Sequence, residues 1–420
     1  MMEEHDHSHF HGVDKAEKHI SVSEAVKMLV ANINPVKQET INALDSNNRF
    51  LAEDLKSPVN LPRRARATRD GFAVNIGQDA GAGFSFKVVG SVRIGKIPQI
   101  SVGSGEAVRV ATGSYLPIGA NAVVMVEYVD AHDQTVLVNR SIEVHQNILN
   151  EGEDVSQGQL LLLKGERVHP QHVALFSMLG LRKVKVFSKP RVAFFSTGDE
   201  LVDLRRPSSK SATVVYDATR PFIASMISNL GGVPVDLGIV RDNFAQTKLK
   251  MARGLKYDAL ILSAGSSVGE RDYVTRAAKS INGVNILQHG VAMRPSSPTG
   301  IASYKGKPLL LLPGFPTSAM ISFFVFGIPA VLRLSGASKV EPTTIKAELL
   351  GDYDGKPGLT HFVRVRVTKE NDYYQATIVR PTEAQYSSWL RSANGVAIIG
   401  ENGTAKRGDN VDVFMIGEIT

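Results

Sequence analysis

At 420 residues the chain is long enough for about two to four domains of ~100–200 residues each. Hydrophobic residues at 43% against 21% charged exclude a wholly disordered chain, and the absence of cysteine excludes disulfide frameworks, thiolate metal sites and cysteine nucleophiles. The net charge of +7 is weak support for nucleic acid over this length and suits an anionic small substrate equally well.

Residues 1–19 carry His5, His7, His9 and His11 at alternate positions among acids, with little to bury. Alternate imidazoles share one side of an extended chain and could catch a metal, but a disordered His-rich tail is the expectation. No apolar secretory segment follows the N-terminus, so a cytoplasmic protein is expected. Ser21-Val-Ser-Glu24 reads as a capping box, followed by Val22, Ala25, Val26, Leu29 and Ile33 at helical spacing, with Pro35 as the stop. From Val59 to Val138 come short Gly-punctuated β runs: Phe84–Val89, Glu106–Val110, Ala122–Glu127 and Val136–Val138. A helix is expected from His169 to Leu179, ended by Gly180.

Residues 190–336 alternate strand and helix. Short apolar strands are expected at Val192–Ser196, Val233–Val240, Ala259–Ser263 and Leu309–Leu312, and helices from Pro221, at Phe244–Gly254 and at Thr317–Leu334. Fully apolar strands in such alternation indicate a parallel, doubly wound sheet covered on both faces. The apolar stretch Ala319–Leu334 contains Ser322, Gly327 and Pro329 and is too short to span a bilayer, so it reads as a buried helix. Beyond Gly336, alternation at His361–Val367 and Gln375–Val379 predicts a small β-rich C-terminal domain.

Open parallel sheets bind ligands beyond the carboxyl ends of their strands. Those ends carry Thr197, Gly198, Asp199 and Glu200; Asp242; Gly265, Ser266, Ser267, Gly269, Glu270 and Asp272; and Gly314, Thr317 and Ser318. Small-residue turns entering helices suit an anion. Carboxylates beside a phosphate repel it unless a divalent cation lies between, so the cluster implies Mg²⁺. Each acid alone could be a helix cap or a solvated charge; the case rests on their convergence. Arg63, Arg64, Arg66 and Arg69 could clamp a polyanion or form a solvated basic loop. No P-loop or dinucleotide-binding fingerprint is present. Gly265-Ser-Ser-Val-Gly269 has the spacing of a hydrolase elbow, but Asp272 follows too closely to be its usual third member.

The motifs Asp70-Gly-Phe-Ala73, Ala111-Thr-Gly113, Glu151-Gly-Glu-Asp154, Ser196-Thr-Gly-Asp-Glu-Leu201, Ser263 to Tyr273, Gly290 to Pro295, Leu312 to Ala319 and Ala393-Asn-Gly395 occur in one order across about residues 20–420. In this the sequence resembles the MoeA family, the molybdopterin molybdotransferases. The resemblance implies a multidomain α/β and β fold. Residues 20–57 plus 150–187 would form a linking and dimerisation domain, 58–149 a β-rich insertion, 188–336 the α/β molybdopterin-binding domain and 337–420 the C-terminal β domain. It further implies a homodimer that inserts molybdate into adenylylated molybdopterin with Mg²⁺ and releases AMP, with no membrane or nucleic-acid partner. Catalytic acids would fall on Asp70, Asp154, Glu200, Asp242 and Asp272, with Glu200, Asp242 and Asp272 holding the metal. Substrate contacts would fall on Thr112, Gly265, Ser266, Ser267, Arg294, Ser297, Pro313, Gly314 and Ser318. Departures from the family pattern lie at Arg64–Arg69 (usually Phe-Asp-Asn-Ser-Ala-Met), at Arg294, Ser296 and Ser297 (usually Lys, Gly and Lys), at Phe315 (usually Asn) and at Ala218-Thr219 (usually Ser-Asn). They leave a second reading open, a ligand-binding or scaffold dimer that has lost turnover.

Overall fold

The computed structural model describes residues 19–77, 82–205, 215–264, 273–379 and 388–419. The His-rich N-terminal segment therefore lies outside the described residues. Three six-stranded sheets organise the rest.

Helix α1 (Val22–Ala31) starts where expected: the Ser21 hydroxyl accepts from the Glu24 N–H, and the Glu24 carboxylate accepts from Ser21. It ends at Ala31 with Asn32 as its cap, before Pro35 is reached. Gln38–Asn42 pairs antiparallel with Lys183–Phe187, and Leu55–Lys56 pairs with Leu160–Leu162. Helix α2 (Pro170–Leu179), closed by left-handed Gly180, buries Phe176 in a cluster with Leu51, Leu162 and Val184. Helix α1 is not part of that cluster. Its Ala25 and Leu29 sit in the core of the central sheet, so residues 20–57 divide between two cores.

Between these paired segments lies the first six-stranded sheet, in the order Ala122–Met125, Gly71–Val74, Glu106–Val110, Ser85–Ser91, Thr135–Val138, Val129–His132. Gly71–Val74 is hidden on both faces, which removes the alternation that would have announced it. Its hydrogen bonds to Ala122–Met125 and Glu106–Val110 fix Asp70 at the end of a buried strand.

The central sheet contains β1 (Arg191–Thr197), β2 (Val233–Val240), β3 (Ala259–Ala264), β4 (Val284–His289), β5 (Gly300–Tyr304) and β6 (Lys307–Pro313), in the order β2-β1-β3-β6-β5-β4. The first four in that order are parallel, as expected; β5 and β4 add an antiparallel edge that the sequence did not signal. Helix α3 (Thr219–Asn229) and helix α6 (Pro316–Leu334, with a π-helical turn at Phe323–Gly327) cover one face. Helices α4 (Phe244–Gly254) and α5 (Tyr273–Lys279) cover the other. Although α6 is long and apolar enough to cross a membrane, 78% of its apolar window is buried inside the protein, as expected of a core helix.

The third sheet is C-terminal, with Thr360–Glu370 at its centre. Met293–Arg294, from the central domain, pairs parallel with Thr360–His361 and ties the two domains together.

Gly71 has no room for a side chain, since a Cβ would collide with the Val124 carbonyl on the neighbouring strand. Gly71→Ala is expected to lower the stability of the insertion by ~1–3 kcal/mol through forced strand displacement. A denaturant titration followed on this region that shifts by less than ~0.5 kcal/mol would contradict that close approach.

Candidate functional site

Strands β1 and β3 are neighbours whose next described helices lie on opposite faces. After β1 the chain reaches α3 on one side; after β3 it next has a described course in α5 on the other. A crevice opens where the two diverge. There a pocket of ≈ 490 Å³ is floored by Ser196, Thr197 and Ser263 and walled by Asp217–Thr219 and Gly314–Pro316, with Glu200 and Tyr216 also lining it. The turn after β1 is tight: the Gly198 N–H donates to the Val240 carbonyl, and a Cβ at Gly198 would come within 2.9 Å of both Glu200 carboxylate oxygens. Asp242, exposed beyond β2, donates its N–H to the Asp199 carboxylate at 3.3 Å. The expected acids Glu200 and Asp242 thus stand on adjacent strand ends.

The pocket wall is set by a buried charge network. The Asp217 carboxylate accepts the first helical N–H groups of α3, from Thr219 at 3.0 Å and Arg220 at 3.2 Å, and also the Arg220 Nε at 2.7 Å. Arg220, only 3% exposed, donates onward to Asp236 and Asp203 at 2.7 and 2.9 Å. Arg205 joins from outside and holds the Asp203 carboxyl well below the usual carboxylate range. With every acid in the network hydrogen-bonded, the turn carrying Tyr216 and Asp217 has one geometry.

A second pocket, ≈ 850 Å³, lies where the central and C-terminal domains meet, and Phe315 lines both. Arg294 reaches it from the central domain and Arg364 from the C-terminal sheet, while Lys406 is drawn to Asp352 at 3.5 Å. Tyr353 also lines it. Burial raises its phenol above the ordinary value, with Arg294 and Arg364 opposing. The phenol lies 3.0 Å from Nδ1 of buried His361, whose Nε2 is 2.8 Å from the Lys356 carbonyl. A carbonyl only accepts, so Nε2 carries the proton, and in the neutral ring Nδ1 accepts from Tyr353. Ser296 adopts a left-handed φ of 85°, ordinarily a glycine conformation, and its hydroxyl donates to the Ser318 carbonyl at 2.7 Å. Ser297 Oγ donates to the Val291 carbonyl, so this side chain supports the turn. Pro313 completes β6 and accepts from Ser263.

Asp70 and Thr112, expected separately as an acid and a substrate contact, are bonded to each other: the Thr112 N–H and hydroxyl reach Asp70 Oδ1 at 2.6 and 3.0 Å. The backbone bond chiefly, then the hydroxyl, with the charge of Arg109 also contributing, holds the Asp70 carboxyl below its ordinary value despite its exposure. Asp70 lines a pocket of ≈ 310 Å³ that shares no lining residue with the other two. Asp154 is exposed on the turn that returns from the insertion, its N–H bonded to the Leu61 carbonyl. Gly265, Ser266, Ser267 and Asp272 lie outside the described residues. Sequence reasoning missed Ser196, Arg220, Tyr353 and Arg364. Burial hid the first two, and the others belong to a strand-rich domain where no motif marked them.

Comparison with known proteins agrees with this geometry. Residues 20–180 match the MoeA N-terminal region (domain I and II), 193–333 a probable molybdopterin binding domain, and 346–416 the MoeA C-terminal region (domain IV). A molybdopterin molybdenumtransferase of Staphylococcus aureus (strain MSSA476) is 32% identical over 357 residues, covering 83% of this chain and 84% of the relative. The Staphylococcus epidermidis protein of that name (strain ATCC 35984) is 31% identical over 357 residues, with the same coverage. A solved structure of a molybdopterin biosynthesis MoeA protein from Pyrococcus horikoshii OT3 superposes with a TM-score of 0.80 at 26% identity, covering 95% of this chain and all of that one. Another, from Pyrococcus horikosii as its description spells it, gives 0.80 at 28% identity, covering 96% of this chain and 100% of the other.

The Asp70 bonds give a pH test. A carboxyl depressed on folding stabilises the fold above its unfolded value, and that contribution disappears as pH falls through the folded value. Thr112→Val removes the hydroxyl and keeps the N–H. The Asp70 midpoint, followed by NMR titration, is expected to rise towards the ordinary value without reaching it. An unchanged midpoint would contradict the hydroxyl's role.

Proposed function

Because the chain belongs to the MoeA family of molybdopterin molybdotransferases, we propose that its two adjoining pockets divide one reaction between them. The protein is an enzyme of molybdenum cofactor biosynthesis. In the finer reading, molybdate is inserted into adenylylated molybdopterin and the phosphoanhydride is cleaved by water, releasing AMP and leaving the phosphate on the pterin product. The observation that carries this is the shared Phe315 wall: a strand-end crevice suited to a planar ring opens beside a larger pocket lined by Arg294 and Arg364. Guanidinium groups make charge-assisted bonds to oxyanions, so the larger pocket would receive molybdate or the substrate phosphates. The dithiolene sulfurs that take the metal belong to the substrate, and a chain without cysteine can therefore do this chemistry.

Glu200 and Asp242 would face the phosphoanhydride. Among the described residues no three acidic or imidazole side chains form a ready cage for a metal. Mg²⁺ does not need one, because it is usually held by one or two carboxylates with substrate phosphates and water. Glu200 at the pocket and Asp242 on the adjacent strand end fit that demand; Asp272, expected as the third, is outside the described residues. When bound, the ion would neutralise charge on the phosphoanhydride.

A homodimer is part of the proposal. Asp70, with Thr112 bonded to it, lines a separate pocket within one chain, so their part in the same reaction requires a partner subunit to bring them to the cleft. Leu44 and Met178, 62% and 63% exposed in the linking region, offer apolar surface for such an interface. Sedimentation showing a fully active monomer would overturn it.

Restored molybdoenzyme activity in a molybdotransferase-deficient strain tests the reaction itself; failure by a well-folded dimer would favour a scaffold. Within the site, Asp242→Asn keeps shape and the backbone bond to Asp199 but removes a charge. Turnover is expected to fall about 10²–10³-fold, equivalent to ~2.7–4 kcal/mol, while stability moves by less than ~0.5 kcal/mol. The control is Asp258→Asn. Asp258 accepts from the Arg191 N–H at the opposite end of β1, where Asn can accept equally. Equal losses in both variants would show the site to be misplaced.

A further inference from the structure

Ser196 lies on the face of β1 that carries Val192 and Phe194 into the core beneath α3 and α6, but at the strand's last turn it meets the crevice instead. It is 1% exposed, and its hydroxyl has no hydrogen-bond partner among the described residues. The residue beside it in the ladder, Ser263, is equally buried but donates to the Pro313 carbonyl at 2.9 Å. Two neighbouring serines thus floor one pocket, one engaged and one not. Buried polar groups in folded proteins are nearly always paired, so an orphan hydroxyl aimed into a binding crevice marks a contact reserved for a ligand.

The surroundings define that ligand's class. Leu201, Ala218 and Phe315 give the crevice apolar walls, and the engaged Ser263 offers no further donor. A flat ring entering between such walls presents its edge to the floor. We infer that the Ser196 hydroxyl hydrogen-bonds an edge heteroatom of a planar heteroaromatic ring and so selects the ring that occupies the crevice. Two parts of the substrate have this chemistry, the pterin and the adenine. The inference rests on the proposed reading of the crevice as part of the substrate site.

Titration of the full-length protein with molybdopterin and, separately, with AMP tests it. Ser196→Ala is expected to weaken binding of at least one of them by about 3- to 10-fold, the loss of one ordinary hydrogen bond, and the ligand affected identifies the ring. The unliganded melting temperature should stay level or rise, because no internal bond is lost. Ser263→Ala, which does lose one, should melt lower. Unchanged affinity for both ligands, or a melting loss in Ser196→Ala matching that of Ser263→Ala, would overturn the inference and leave the site reading standing. A wild-type protein that binds neither ligand would overturn both.

Discussion

The site depends on one topological constraint, the reversal of strand order between β1 and β3. Parallel neighbours whose connections leave to opposite faces cannot close the gap above their own ends. The crevice at Ser196 and Ser263 is therefore a consequence of the chain path and not of any one side chain. Small residues there keep it open, and large ones two steps back on the same face of each strand, Phe194 and Ile261, seal the core beneath. The starts of α3 and α6 then form its walls because both helices must pack on the same face of the sheet.

Holding that crevice to one shape falls to Arg220. Buried ion pairs are seldom a net source of stability, since desolvation offsets most of the attraction. Here the gain is positional. Asp217 caps α3 and lines the crevice with the same carboxylate group, and Arg220 links it to Asp203 and Asp236 on flanking segments. Loss of the guanidinium would leave these acids facing one another with only exposed Arg205 to compensate, so wall and sheet edge would loosen together.

Much of this was legible in the sequence. The Ser21–Glu24 capping box, the helices at 170–179 and 244–254, and the strand at Val233–Val240 stand within a residue of expectation, because caps, glycine stops and apolar runs are local signals. Site roles for Asp70 and Thr112 were implied only by family resemblance, and their pairing was not foreseen; the backbone shows why it forms, since both sit at the ends of strands that lie side by side. What escaped was decided by tertiary structure. Gly71–Val74 has no alternation because both its faces are covered, and β5 is a strand because β6 offers it an edge, as β5 in turn does for β4. Tyr353 and Arg364 become pocket residues only because Met293–Arg294 extends the C-terminal sheet across the domain boundary.

Apart from Arg64–Arg69, the departures from the family pattern gather around the same two pockets. Arg294 and Phe315 line the larger one, Ala218 and Thr219 the crevice, and Ser296 braces the turn between them. The proposed anion-binding surface is therefore built from arginines of two domains, and this reading can be tested directly. Crystals soaked in tungstate, a close analogue of molybdate with strong anomalous scattering, would locate the oxyanion. A peak within hydrogen-bond reach of Arg294 and Arg364 is the expected result; a peak confined to the Arg63–Arg69 loop, with none in the pocket beside Phe315, would contradict the division of labour between the two pockets.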